Sequence, residues 1–171
     1  MATEAGTTPA VALDRPWVID TNCVLDLRLF NDPRTIRLRR ALEAGQIRWL
    51  ATSAMAIELE RVLTYPAVQR AWQRLGHLPP EGAPESAASV MRWFHGHAGL
   101  CDSAPFSGLR CQDPDDQMFI DLAVAHRAIL LSKDHRVLRL GRRMQGLGAG
   151  AIAPDALATF LPGEAPHGTT A

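Results

Sequence analysis

Four carboxylates stand where hydrolytic chemistry could be built: Asp20, Glu58, Asp116 and Asp134. Asp20 follows the apolar run Trp17-Val18-Ile19, and Asp134 comes soon after Ala128-Ile129-Leu130-Leu131-Ser132. Such runs suit short buried strands, and the carboxyl ends of parallel strands are the usual ligand edge of open α/β sheets. Glu58 lies on the shoulder of an apolar stripe formed by Met55, Leu59 and Val62, while Asp116 sits in the first turn of a helix opened by Pro114. Helices could therefore carry both to the same rim. Two carboxylates about 4 Å apart repel by about 4 kcal/mol at an effective dielectric of about 20, so three or four converging acids need protons or a cation. A hard divalent ion, Mg²⁺ or Mn²⁺, suits carboxylate and water oxygens. The matching reaction is metal-assisted phosphodiester hydrolysis without a covalent nucleophile.

Each acid also has a plainer reading. Asp20 or Thr21 could cap the following turn, and Glu58 could be a solvated acid paired with Arg61. Asp113-Pro114-Asp115-Asp116 has the form of an N-cap, a proline first turn and acids facing the helix dipole; Asp134 could cap the helix after it. Positive charge for a phosphate chain is offered by Arg34, Arg37, Arg39 and Arg40, and by Arg136, Arg139, Arg142 and Arg143. Arg136, Arg139 and Arg143 share a helical spacing and are candidate RNA contacts, with a solvated helix face as the alternative. His95-x-His97 followed by Cys101 lacks a fourth zinc ligand and reads as incidental.

The elements that must position these residues follow from periodicity and punctuation. Strands are expected at 16–19, 47–51, 128–132 and 149–152, and helices at 23–30, 33–44, 54–64, 85–95, 114–126, 135–144 and 154–161. Residues 76–84 are rich in proline and glycine, and 96–111 read as irregular. Alternating strands and helices imply an α/β fold around a mostly parallel sheet of four or five strands. At 171 residues the chain is the size of one domain, expected over 16–161, with an elaboration at about 66–111 and flexible tails at 1–15 and 162–171.

Composition narrows the class. Apolar residues at 47% argue against disorder, and 18 basic groups offset by 18 acidic ones argue against a protein that coats polyanions. Lys133 is the sole lysine among those basic groups. Cys23, Cys101 and Cys111 are odd in number and contain no CxxC pair, which disfavours a disulfide framework or a cysteine-rich zinc site. The first fifteen residues hold no signal-like apolar run, and no later run reaches a membrane span, so the expected location is the cytoplasm with no membrane association.

The ordered blocks Val18-Ile19-Asp20-Thr21-Asn22, Ser53-Ala54-Met55-Ala56-Ile57-Glu58-Leu59, Asp113-Pro114-Asp115-Asp116-Gln117-Met118-Phe119-Ile120-Asp121-Leu122-Ala123 and Ile129-Leu130-Leu131-Ser132-Lys133-Asp134 resemble the PIN-domain nucleases, most closely the toxin components of toxin–antitoxin systems. The resemblance implies a three-layer α/β/α sandwich and a Mg²⁺- or Mn²⁺-dependent endoribonuclease acting on RNA. It also implies a small antitoxin protein that covers the acidic site, and self-association as a homodimer. It gives Asp20, Glu58, Asp116 and Asp134 the family's acidic, metal-binding and catalytic roles. Asp116 rather than Asp115 matches, because it opens the Asp-x-x-Phe-Ile-x-Leu-Ala pattern. Ser132 takes the family's small hydroxyl position, and Asn22 is expected to orient Asp20 or a water. The stretch 66–111 exceeds the spacing of the smallest members. Two competing readings are a noncatalytic RNA- or protein-binding domain on the same scaffold and a phosphatase of the haloacid dehalogenase type. The latter wants Asp-x-Asp, where this chain has Asp20-Thr21-Asn22.

Overall fold

The structure, a computed structural model, describes residues 13–75 and 86–161; residues 1–12 of the tail expected at 1–15, the tail expected at 162–171 and the segment 76–84 lie outside the described residues. Five strands, β1 (Trp17–Ile19), β2 (Trp49–Thr52), β3 (Ala98–Cys101), β4 (Ile129–Leu131) and β5 (Gly150–Ile152), form one all-parallel sheet in the order β3-β2-β1-β4-β5. Parallel neighbours require crossovers, and helices supply them. Between β1 and β2 run α1 (Thr21–Arg28), a 3-10 turn (Pro33–Thr35) and α2 (Ile36–Glu43). Between β2 and β3 run α3 (Ser53–Leu63), α4 (Pro66–Leu75) and α5 (Ala87–His97). A 3-10 turn (Pro114–Asp116) and α6 (Gln117–Ala125) precede β4, while α7 (His135–Leu138) and α8 (Gly141–Gly146) precede β5. A last 3-10 turn (Pro154–Ala156) and α9 (Leu157–Phe160) follow β5.

From β1 the chain steps outward to β2 and β3, then returns past β1 to β4 and β5. Right-handed crossovers in opposite directions put α1–α5 on one face and α6–α8 on the other. The central strands are accordingly buried along their whole length, with Trp17, Val18, Leu130 and Leu131 fully enclosed. The expected α/β class and mostly parallel sheet are therefore met by five strands, all parallel. Local signals also act where expected. Gly45 ends α2 at φ +67°, a conformation that favours glycine, and the Thr52 hydroxyl accepts from the Met55 amide at 3.4 Å to cap α3.

Two expectations are corrected. The stretch 96–111 is not irregular throughout, since 98–101 forms edge strand β3, paired in register with β2 from Trp49↔Ala98 to Thr52↔Cys101. Ala98-Gly99-Leu100-Cys101 carries no strand periodicity of its own; pairing with β2 imposes it. The basic helix at 135–144 is two short helices, α7 and α8. Gly141 weakens helix continuity and packs on β5, where an added Cβ would meet the Ala151 carbonyl oxygen at 3.7 Å.

Within 66–111, α5 also contributes to the core. Val90 and Phe94 are buried, the Trp49 ring meets the Phe94 ring edge-on at 5.0 Å, and Trp93 stacks on His97 at 4.7 Å. The Cys101 thiol donates to the Ala51 carbonyl, so these residues are absorbed into packing between β2, β3 and α5. Among the described residues no helix is long and apolar enough to cross a membrane.

Candidate active site

The strand order reverses direction between β1 and β4, and this switch point is where open α/β sheets leave a crevice at their carboxyl ends. Asp20 and Ser132 follow those two strands at matching positions, because Ile19 pairs with Leu131. Asp20 is buried, and its Oδ1 accepts from the backbone amides of Asn22 at 2.7 Å and Cys23 at 3.3 Å, capping α1. Its Oδ2 accepts from the fully buried Ser132 hydroxyl at 2.5 Å. The Ser132 oxygen in turn accepts from the Asp134 amide at 3.1 Å, and the Asp134 carboxylate caps α7 by accepting from the Arg136 amide at 2.6 Å. One hydroxyl thus ties together the acids of both strand ends. For Asp20 and Asp134 the capping and clustering roles coincide. Asn22 orients Asp20 through its backbone, and its side chain is exposed.

The remaining acids arrive from the helices. Asp113, not Asp116, accepts the capping bond from the Asp115 amide at 3.1 Å, and Asp116 makes no side-chain capping bond. Glu58 accepts a side-chain hydrogen bond from Thr21, which follows Asp20 directly, yet its Oε2 is buried without a hydrogen-bond partner among the described residues.

Electrostatics tie the four together. Asp116 is pushed up to about 7, first by burial and then by the charges of Asp20, Asp134, Asp113 and Glu58. Burial raises Asp20 despite opposing bonds from Ser132 and the two amides. Burial also raises Glu58 against the Thr21 bond and Arg61, with Asp115 and Asp20 adding repulsion. These acids face one another across the rim without closing on it: among the described residues no group of three or more His, Cys, Asp or Glu side chains is placed to hold an ion. The donor chemistry nevertheless fits a hard divalent cation. It is made of carboxylates, it includes a buried oxygen with no partner, and its mutual repulsion is what a cation relieves.

Several partners escaped the sequence reading. Lys133 pairs with the buried Asp26 at 2.6 Å and pulls Asp20 toward ionisation; an acid set among Cys23, Val24, Leu25 and Leu27 was the available signal. Arg136 pairs with Asp113 at 3.0 Å, joining α7 to the turn that carries Asp116. Arg139 and Arg143 are exposed, but the break at Gly141 puts them on separate segments rather than one helical face.

No curated protein matches the chain. A family model described as PIN domain matches residues 16–136, from the start of β1 into α7, and takes in all four acids. The chain belongs to the PIN domain family, whose members are generally nucleases that use divalent metals.

Proposed function

We propose that this protein is a Mg²⁺- or Mn²⁺-dependent endoribonuclease that uses Asp20, Glu58, Asp116 and Asp134, and that it is the cytoplasmic toxin of a toxin–antitoxin pair. The observation that carries the nuclease reading is Asp116, freed from capping by Asp113 and held at about 7 first by burial and then by four neighbouring carboxylates at the switch point. A bound divalent ion would supply a polarised water and stabilise charge developing on a phosphoryl oxygen. Asp20 is the fixed member of the set, since two amides and the Ser132 hydroxyl determine where both its oxygens lie. Glu58 and Asp116 are the adjustable members: one presents an oxygen with no partner among the described residues, and the other, raised to about 7, would be drawn to its ionised form by a cation held there. Arg136, Arg139 and Arg143 lie beyond the acids in the chain and offer positive charge to the phosphates. The toxin role, an antitoxin that covers the acidic rim and self-association as a homodimer extend the reading from family membership.

The test is cleavage of an end-labelled single-stranded RNA by the full chain. Cleavage is expected with Mn²⁺ or Mg²⁺ and none in EDTA. Asp20→Asn and Asp116→Asn each lower the rate by about 10²-fold or more, with circular dichroism and a cooperative thermal transition showing that the variants remain folded at the assay temperature. Equal rates in EDTA or in these variants would overturn the reading. Tight RNA binding without cleavage in any metal would instead favour the noncatalytic alternative.

A further inference from the structure

We propose that the loop before the Pro114 turn holds a preformed pocket for one base of a single-stranded nucleic acid, stacked on Phe106 and Arg110 beside the acidic rim. This rests on the nuclease reading for its substrate class.

A pocket of about 270 Å³ is lined by Phe106, Arg110, Cys111, Pro114 and Gln117. That volume lies just below the range of about 300–1,000 Å³ typical of small-ligand sites, so it suits a single planar ring system. Phe106 is 57% exposed, unusual for a phenylalanine, and the Arg110 guanidinium carbon stands 5.8 Å from its ring centroid. An exposed aromatic ring with a cation over it can take a base by stacking and its phosphate by charge.

The loop is held rather than loose. Gln117 donates to the Leu109 carbonyl at 2.8 Å and accepts from the Cys111 amide at 2.9 Å. The buried Asp121 carboxylate accepts from the Ser107 amide at 2.9 Å and from Gln117 at 2.8 Å. Gln117 and Asp121 are thus positioning residues. The α6 start that follows Asp116 also fixes the stacking platform, coupling pocket and rim through one rigid element. Proximity is independently visible at Cys111, whose thiol is raised by burial and further by Asp116, Asp134 and Asp113.

The measurement is equilibrium binding of short single-stranded RNA to the metal-free full chain, followed by fluorescence anisotropy, with a parallel series carrying one abasic position at each site in turn. Phe106→Ala weakens binding about 5- to 150-fold, the usual range for one stacked base, and Phe106→Trp restores it. One abasic position loses a similar factor, and on that oligonucleotide Phe106→Ala has no further effect. Unchanged RNA affinity in Phe106→Ala, as expected if a protein side chain fills the pocket instead, overturns the proposal, and so do independent abasic and Phe106 effects. Cleavage that survives Phe106→Ala at unaltered affinity refutes the pocket alone. Phe106-dependent binding by a chain that never cleaves refutes the nuclease reading alone.

Discussion

At the scale of residues, the site is an exercise in placing like charges together. Asp116 ordinarily titrates near 3.8 and is held here at about 7, so the folded chain binds its proton more tightly than the unfolded chain. Its contribution to stability is therefore fully present below about pH 4 and is lost as the pH rises through about 7. Asp20 and Glu58 are raised in the same direction and steepen the loss. Urea midpoints of the metal-free protein should fall across that interval, Asp116→Asn should flatten the slope, and millimolar Mn²⁺ should restore stability at the upper end. A flat profile in the parent chain contradicts this crowding of charge. As candidates the acids were legible from their places after apolar runs, for Asp20 and Asp134, and on helices, for Glu58 and Asp116. Their hydrogen bonds were not, because Ser132 reaches Asp20 across 112 residues of sequence.

At the scale of elements, short strands depend on what covers them. β1 and β4 contain only three residues each, yet both are wholly buried, so their stability comes from packing rather than length. Beside them, α5 covers β2 with Phe94 against Trp49, within a stretch that reads from sequence as elaboration. Phe94→Ala should cost about 3–5 kcal/mol by removing a buried ring against Trp49, measurable as a shift in the urea midpoint. A cost below about 1 kcal/mol would make α5 peripheral. Strand β3 escaped sequence reading because an edge strand of Ala, Gly, Leu and Cys has no period-two signal, and its partner β2 lies well before it in the chain. The break in the second basic helix escaped for a related reason: Gly141 permits either course, and contact with Ala151 decides between them.

At the scale of the molecule, a net charge of zero conceals opposed patches. Acids gather at the switch point, while Arg110, Arg139 and Arg143 are exposed along the chain on either side of it. RNA affinity should accordingly depend on salt, but only shallowly. Replacing Arg139 or Arg143 by Gln should each reduce the slope of log affinity against log salt by about 0.7, the increment expected for one phosphate contact on a single strand. Titrations between about 50 and 200 mM salt measure it, and an unchanged slope removes that residue from the RNA path.

The sequence by itself determined the α/β class and the parallel sheet and marked four candidate acids, since apolar runs, caps and prolines are local signals that need no knowledge of distant partners. Tertiary structure alone decided which distant groups the acids meet. Asp113 caps the turn as the local pattern suggests, but its ion pair with Arg136 and the charges gathered around Asp116 require residues distant in sequence to meet in space. It also decided that Lys133 serves Asp26 and that Phe106 stands out from a loop pinned by Gln117 and Asp121. The physical reason is common to all three. Periodicity records what a segment buries, whereas the pairing of charges and hydroxyls depends on crossovers that bring strand ends together, and no local pattern encodes those distances.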